Sequence, residues 1–333
     1  MPTNSVSLPA GFAEVRLKGK TTLVPSAEIE GRTVIVTGKW LKLAAIREQN
    51  IVEGELIKDP DSFVRALKGK DLKADMLTFF QRPPDVAPKF KLHFDWDNYA
   101  AIPITTFENW WESVPQETRK NARRAAKRGV IVKSVPFDDE LARGIHNLCN
   151  ETPIRQGKPF WHYGKDFETV RREHGTHLER SEFIAAFFQG ELIGFIKMVY
   201  VDRIAFIVHI LAAIAHHDKR PMNALIARAV EACVSKGAGY FVYDQYVYGN
   251  KTNSSLIELK RRNGFAPIYF PRYFVPLTWL GKFAVAFRLY RRASGWLPAP
   301  VVNAAVAARN WFYEQKSHYS MKKVRPGPEP SIK

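Results

Sequence analysis

Cysteine is scarce in this sequence, and acidic residues are outnumbered by basic ones. The two cysteines, Cys149 and Cys233, are too few for a disulfide framework, so we expect a fold held by its hydrophobic core in a reducing cytoplasm. The 33 acidic residues stand against 50 basic ones, which leaves a net charge of +17. This excess favours an anionic partner such as tRNA, a CoA donor, a lipid-linked phosphate or an acidic membrane face, or else it lies on solvated lysine-rich surfaces.

Long apolar runs are also missing. The most apolar stretch, residues 204–215, is interrupted by His209 and is too short to cross a bilayer. The first residues show neither the charged nor the apolar segment of a signal peptide. Cysteine and histidine spacings predict no metal site, since the adjacent His216 and His217 would point to different sides. We therefore expect a cytoplasmic protein that is soluble or peripheral at the inner membrane face.

Strand and helix patterns alternate over residues 203–276. Runs of β-branched and aromatic residues predict strands, and apolar residues at helical spacing predict the helices between them. The predicted order is strand 203–212, helix 221–236, strand 239–248, helix 253–263 and strand 268–277, after a hairpin at 183–200. This alternation indicates an α/β layer. With 333 residues, 46% of them hydrophobic, the chain can form two domains or one large one.

The last predicted helix carries a recognisable spacing. Asn253, Leu256, Lys260 and the Gly264-Phe265 pair follow a pattern that resembles the N-x-x-A-x-x-x-Y-x-x-x-G-F signature of the GNAT superfamily of N-acetyltransferases. A lysine in place of the signature's tyrosine is similar to the Fem-type peptidyltransferases, which add amino acids to peptidoglycan precursors. Residues 119–130 and 221–244 share this likeness. The resemblance covers about half the chain well and the first hundred residues weakly.

The resemblance implies a fold and a division of the chain. It implies an α/β (α+β) fold, with a GNAT-type mixed sheet flanked by helices and built from two GNAT-like halves. Residues 1–130 would form a degenerate first half and residues 131–278 the acyltransferase core. The composition and helical spacing of residues 279–333 predict an amphipathic helical tail with a disordered end. The apolar stripe of this tail favours docking on the domain, with peripheral membrane contact through 279–313 as the alternative.

The resemblance also places the donor along the strand before the central helix. Backbone amides of that strand would polarise the acyl carbonyl, and the helix N-terminus would bind pyrophosphate. The turn at 216–223 lacks the glycines that the family uses there, and two cations stand in their place. This departure favours aminoacyl-tRNA over acyl-CoA as the co-substrate, with no tightly bound cofactor, unless the cations are only exposed turn charges. The donor-binding candidates are Ile210, Leu211, Ala212, Lys219, Arg220 and Asn223.

Three residues are candidates for catalysis. The ammonium of Lys260 could stabilise an oxyanion or shuttle a proton, and its alternative is a solvated basic helix end. Asp244 follows an aromatic strand and could act as a base for an acceptor amine, or serve as a cap or ion-pair partner. His209 lies within an apolar strand, where a hydrogen-bonded core histidine is the commoner role. No metal is required for this chemistry.

A loop at residues 153–164 combines cations with aromatic rings. Such side chains suit phosphate or carboxylate groups beside a sugar or base, so the loop is a candidate acceptor site, or a structured loop with packed rings. The acceptor-binding candidates are Arg155, Gln156, Lys158, Trp161, His162 and Tyr163. The helix at 119–128 is strongly basic, and it is either solvated or faces phosphate.

These features predict an N-acyltransferase. It would move an acyl or aminoacyl group from a carrier, acyl-CoA or aminoacyl-tRNA, to an amine on a cell-envelope precursor. The alternative is a non-catalytic GNAT-like module that binds RNA or an anionic membrane surface, for which the glycine-free turn is the best support.

Overall fold

Twelve strands form one mixed sheet in the computed structural model, which describes residues 10–17, 20–155, 158–247 and 255–291. Helices flank this sheet, and the α/β (α+β) class is confirmed. The strands from the first part of the chain are β1 (Phe12–Leu17), β2 (Lys20–Ile29), β3 (Arg32–Thr37), β4 (Leu43–Ile46), β5 (Met76–Phe80) and β6 (Phe94–Pro103). The later strands are β7 (Ile131–Val135), β10 (Ser181–Phe188), β11 (Glu191–Val201), β12 (Ile204–Ala212), β13 (Tyr240–Val242) and β14 (Ala266–Pro276), and a separate pair consists of β8 (Ile154–Arg155) and β9 (Lys158–Pro159).

Several helices begin at a side chain that accepts the first backbone amides. The helices are α1 (Pro60–Lys68), α2 (Phe107–Ser113), α3 (Gln116–Lys127), α4 (Asp139–Cys149), α5 (Phe167–His174), α6 (Pro221–Ser235), α7 (Ser255–Arg262) and α8 (Trp279–Ala286). The capping residues are Asp59, Thr106, Asp138, Asp166 and Thr278, which precede α1, α2, α4, α5 and α8. Within the described ranges, no helix combines the length and the apolar character needed to cross a bilayer.

The sheet is continuous because, near its centre, one strand from each part of the chain lies between strands of the other part. Its order is β1-β2-β3-β4-β5-β14-β6-β13-β12-β11-β10-β7. The last strand, β14, lies between β5 and β6, and β6 in turn pairs with β13. Each part of the chain therefore completes the sheet of the other. The division into 1–130, 131–278 and 279–333 stays a prediction, and the predicted features of residues 292–333 lie outside the described residues.

Two large apolar clusters cover the sheet. One packs α3, α4 and α6 on the strands from β13 to β7, and it includes Cys149 and Cys233 as small buried side chains. The other packs α1 on the strands around β5 and β14, with Phe63, Phe270 and Tyr273 fully buried. Burial of these apolar faces is the main driving force for the fold. A smaller cluster joins α8 to β14 and β5.

The predicted strand at 239–248 is wrong in its length. Strand β13 ends at Val242, and Asp244 has a left-handed backbone with φ of 51°. The Asp244 carbonyl then accepts a hydrogen bond from the Ala100 amide at 2.8 Å. The aromatic side chains of this stretch gave it a strand pattern, but Tyr243 packs against the core cluster from just beyond the end of the strand. This early end of β13 is what opens the sheet at the candidate site.

Candidate active site

The parallel strands β12 and β13 part after three paired residues. Pairing runs from Ile204 opposite Tyr240 to Phe206 opposite Val242, while β12 continues to Ala212. The register of β12 against β11 shifts at the same level, between Lys197 and Met198. Such a bulge re-aims the side chains that follow it. The edge of β12 beyond Phe206 is thus unpaired with β13.

A cavity of about 880 Å³ occupies this opening. Its floor is the outer part of β12, and its sides are the start of α6, the loop after α4 and the first turns of α7. Ten of the fifteen residues predicted to form the site line it, and these are Arg155, Lys158, Trp161, His162, His209, Ile210, Leu211, Ala212, Arg220 and Asn223. A drug-sized cavity with an apolar majority and a few polar groups is typical of a ligand site.

Lys260 lies beneath this cavity rather than on its surface. Its side chain is fully buried, and its Nζ donates to the Gln245 carbonyl oxygen at 2.6 Å. The same ammonium lies 4.6 Å from the centre of the Tyr243 ring, which lines the cavity. Burial lowers the pKa of Lys260 from 10.5 to about 8, and the charge of Asp244 opposes this shift. Lys260 therefore changes charge state close to physiological pH.

Asp244 is exposed and does not line the cavity. It influences the site through its charge, which raises the pKa of both Lys260 and Tyr243. For Tyr243, burial is the larger cause of the upward shift. The phenol of Tyr243 therefore stays protonated at any physiological pH.

Three histidines meet on one side of the cavity. The ring of His209 lies 4.2 Å from that of His174 and 6.1 Å from that of His162, between ring centres. His162 also packs against Trp161 at 3.8 Å. His174 is buried at the end of α5, and no motif in the sequence signals its approach to His209. Among the described residues, no group of three or more histidine, cysteine, aspartate and glutamate side chains has a geometry that could hold a metal ion.

The turn after β12 already holds a carboxylate. Glu151 accepts hydrogen bonds from the backbone amides of Ile214 and Ala215, both at 2.9 Å. Arg155 pairs with Glu151 at 2.6 Å and donates to the Ala212 carbonyl at 2.9 Å. Burial lowers the pKa of Arg155, and the charge of Glu151 opposes that effect. Arg155 and Glu151 together thus fix the end of β12, and sequence reasoning missed Glu151.

The segment between β12 and α6, residues 213–220, is named the donor turn, and its two predicted cations have different surroundings. The Lys219 Nζ lies 3.4 Å from the Asp218 carboxylate and 4.7 Å from the Phe188 ring centre, outside the cavity lining. Arg220 takes a left-handed backbone, φ 58°, and lines the cavity just before Pro221 begins α6. Asn223 lines it as well, and its side-chain amide donates to the Asn263 side-chain oxygen at 3.2 Å.

Only some of the acceptor-binding candidates line the cavity. Lys158, Trp161 and His162 line the cavity together with Arg155. Tyr163 is 46% exposed and lies outside the lining. Gln156 lies outside the described residues. The mixture of rings and cations predicted for this loop is therefore present at the cavity mouth, although Arg155 also has a structural role.

Comparisons with known proteins identify the fold. No model of a known protein family matches the chain, and no curated protein matches it at a significant level. The structure is similar to that of FemX, with a TM-score of 0.55 and 11% identity over 83% of this chain and 91% of that one. It is also similar to the C-terminal domain of a putative lysylphosphatidylglycerol synthetase from Agrobacterium fabrum, with a TM-score of 0.50 and 14% identity over 80% and 87%. At such identities the likeness concerns the fold alone, and the chain has a fold like that of FemX and of this synthetase domain.

Proposed function

We propose that this chain is an N-acyltransferase that moves an aminoacyl group from aminoacyl-tRNA to an amine on a cell-envelope precursor. The observation that carries the proposal is the opening between β12 and β13, with a buried lysine behind its wall. The names of the two similar structures add support. One is FemX, and the other is a domain of a putative synthetase of a lysine-bearing lipid.

The geometry suits attack of an amine on an ester carbonyl. The acyl carbonyl would lie along the unpaired edge of β12, near the backbone of Ile210 and Leu211. The neutral amine forms a C–N bond, the ester C–O bond breaks, and the proton lost by the amine ends on the released ribose hydroxyl. The positive charge of Lys260 acts on the developing oxyanion across the Tyr243 ring, in a buried setting where charges interact strongly.

The donor turn favours tRNA over CoA. A pyrophosphate bound at this turn would need free backbone amides, and those of Ile214 and Ala215 already bind the Glu151 carboxylate. Pro221 at the start of α6 adds no amide. The pyrophosphate of an acyl-CoA would therefore find these two amides occupied by the Glu151 carboxylate. An aminoacyl-tRNA has no pyrophosphate and does not require them.

A basic helix beside this turn supports the same donor. Helix α3 packs on α6, and Arg128 just after α3 pairs with the Asp218 carboxylate at 3.3 Å. The cations on the exposed side of α3 are Lys120, Arg123 and Lys127. Cations in a row can bind the phosphates of an RNA acceptor stem without reading its sequence.

A transfer assay tests the proposal. Charged tRNA with a labelled amino acid is incubated with the protein and either a nucleotide-linked muropeptide or an aminophospholipid, and label in the acceptor is measured. Thermal shifts with charged tRNA, uncharged tRNA, acetyl-CoA and longer acyl-CoAs report donor binding. We expect transfer from tRNA and a larger shift with tRNA than with any CoA. Transfer from acyl-CoA alone would contradict the donor assignment, and no transfer with any pair would contradict the function.

A further inference from the structure

Helix α8 turns its largest apolar side chains away from the described part of the protein. Trp279, Phe283 and Phe287 are 83%, 52% and 57% exposed, at successive intervals of four residues. The helix packs instead through Gly281 and Ala284, which are buried against β14 and β5. A Cβ at Gly281 would lie 2.0 Å from the Asp75 carbonyl oxygen, so only glycine allows this close approach. The docking face of α8 is therefore its small-residue face.

A second exposed ring lies on a segment that is hydrogen-bonded to the start of α8. Trp40 is 62% exposed in the turn before β4. The turn is tied to the start of α8 through one carboxylate, because Asp75 accepts from the Lys42 amide at 2.9 Å and from the Thr278 hydroxyl at 2.8 Å. We name Trp40, Trp279, Phe283 and Phe287 the aromatic surface.

Cations surround the aromatic surface. Lys39, Lys42, Lys282 and Arg288 are exposed, and none of them forms an ion pair with another described residue. The Lys282 ammonium lies 4.5 Å from the Trp279 ring centre. The nearby acids are occupied, since Asp75 accepts the bonds just described and Asp95 pairs with Arg291 at 2.7 Å. Among the described residues, the surface therefore combines exposed rings with cations that form no ion pair, although the charge of Arg288 also acts on Asp95.

We propose that the aromatic surface binds the face of an anionic phospholipid bilayer. Exposed aromatic rings favour the depth of the lipid headgroups, and neighbouring lysines and arginines are attracted by anionic lipids. A row of rings along one helix suits contact with a plane, and the chain's net charge of +17 adds long-range attraction. The surface is separate from the cavity and from the cations of α3, so its binding does not depend on the proposed transfer reaction.

Vesicle sedimentation of the full chain tests this surface without donor or acceptor. Vesicles are made of phosphatidylcholine alone or of an equimolar mixture with phosphatidylglycerol. We expect binding to the mixed vesicles that weakens with salt, and little binding to phosphatidylcholine. The variant Trp279→Ser/Phe283→Ser/Phe287→Ser is expected to lose at least about tenfold in partitioning. The variant Lys282→Glu/Arg288→Glu is expected to lose about twentyfold or more, since each cation near an anionic surface adds about 1 kcal/mol.

Matched variants on the opposite face of the sheet are the controls. Trp96 is 55% exposed, and it points away from α8 because its neighbour Asp95 faces Arg291. Trp96→Ser is expected to keep binding. Lys68→Glu/Lys70→Glu makes the same charge change at the end of α1 and is expected to weaken binding far less than the α8 pair.

Two further readouts separate other occupants of the surface. Brominated phosphatidylglycerol should quench tryptophan fluorescence, and Trp279→Ser should remove part of that quenching. Binding that is equal in the serine variant and the wild type would overturn the proposal. So would a dimer in buffer that the serine substitutions dissociate while neither protein sediments with vesicles, because the occupant would then be a second copy. Absence of vesicle binding with a monomeric protein also overturns it.

Discussion

The buried Lys260 and the half-buried Tyr243 form a pair in which the ammonium lies 4.6 Å from the centre of the ring. Only Tyr243 reaches the cavity, so the charge of Lys260 acts on a bound group through one intervening side chain. Helix α7 and the turn after β13 hold this pair, because the Lys260 Nζ also donates to the Gln245 carbonyl at 2.6 Å. Any movement of that turn would therefore change the electrostatic field of Lys260 inside the cavity.

Lys260→Met should abolish most of the transfer activity while leaving the fold intact. Methionine has a similar length and keeps the packing, but it removes the charge proposed to stabilise the oxyanion. We expect kcat to fall by about 10²–10³-fold with a small change in KM. Single-turnover transfer from charged tRNA measures the chemical step directly.

Lys197→Met is the matched control. Lys197 is fully buried, burial lowers its pKa to about 8, and its Nζ donates to the His174 carbonyl at 2.8 Å. It does not line the cavity. Equal losses of kcat in the two variants would mean that any buried lysine is needed for stability, and Lys260 would have no special role.

The pH dependence of the wild type should reveal the charge state that Lys260 uses. If its ammonium is the active form, kcat falls as pH rises through about 8, where burial places its pKa. Lys260→Arg should remove this alkaline fall, because arginine stays charged. A rate that rises through pH 8 and then stays high would instead indicate that neutral lysine acts as a base.

The same pKa shift affects stability. The unfolded chain keeps the proton of Lys260 up to 10.5, whereas the folded chain releases it near 8. The unfolded state binds more protons in this window, so the free energy of unfolding should rise with pH between them. Denaturant unfolding at pH 7 and pH 9.5 measures this rise. We expect it to be smaller in Lys260→Met, and an unchanged rise would contradict the shifted pKa.

Local patterns in the sequence predicted the helices and strands whose formation depends mainly on their own residues. The helix α6, the strand β12 and the order of elements around them follow from hydrophobic spacing, and the signature that ends in Gly264-Phe265 made Lys260 a candidate for catalysis, which stays a prediction. The early end of β13 could not be predicted, because the aromatic residues after Val242 look the same in a strand and in a turn. The exchange of β6 and β14 depends on pairing between distant segments, which no local pattern contains.

The contacts within the candidate site were harder to predict from the sequence than the residues that line it. Glu151 lies two residues after the end of α4 and reaches the amides of Ile214 and Ala215 only in the folded chain. Lys219 was expected to bind the donor from its position in the turn, but its side chain packs on Phe188 beside Asp218. Which way a turn side chain points depends on neighbours that are remote in sequence.

Asp244→Asn should shift the alkaline limb of activity to lower pH. The charge of Asp244 raises the pKa of Lys260, so its removal lets burial lower that pKa further. Asparagine tolerates the left-handed backbone at this position, so the turn should be kept. The pH profile of kcat measures the shift. Asp202→Asn is the control, since Asp202 is also exposed with φ of 51° but lies at the opposite end of β12. A matching shift in both variants would contradict a local effect.

Glu151→Ser should allow the donor turn to bind CoA. The substitution frees the amides of Ile214 and Ala215, which could then donate hydrogen bonds to a phosphate. We expect acetyl-CoA to raise the Tm of this variant more than that of the wild type, after correction for a lower starting stability caused by the lost hydrogen bonds of about 1–3 kcal/mol. Glu191→Ser changes an exposed glutamate in the β10–β11 hairpin and is the control. No gain with acetyl-CoA would mean that Glu151 does not exclude it.

The basic face of α3 should set the salt dependence of tRNA binding. Each phosphate contact releases counterions, so replacing Lys120, Arg123 and Lys127 with alanine should reduce the slope of log K against log salt by about one unit per lost contact. Fluorescence anisotropy with labelled tRNA measures that slope. Lys68→Ala/Lys70→Ala removes cations near α1 and should leave it almost unchanged. Identical slopes in both variants would mean that tRNA does not contact this face of α3, and acyl-CoA would then become the better donor candidate.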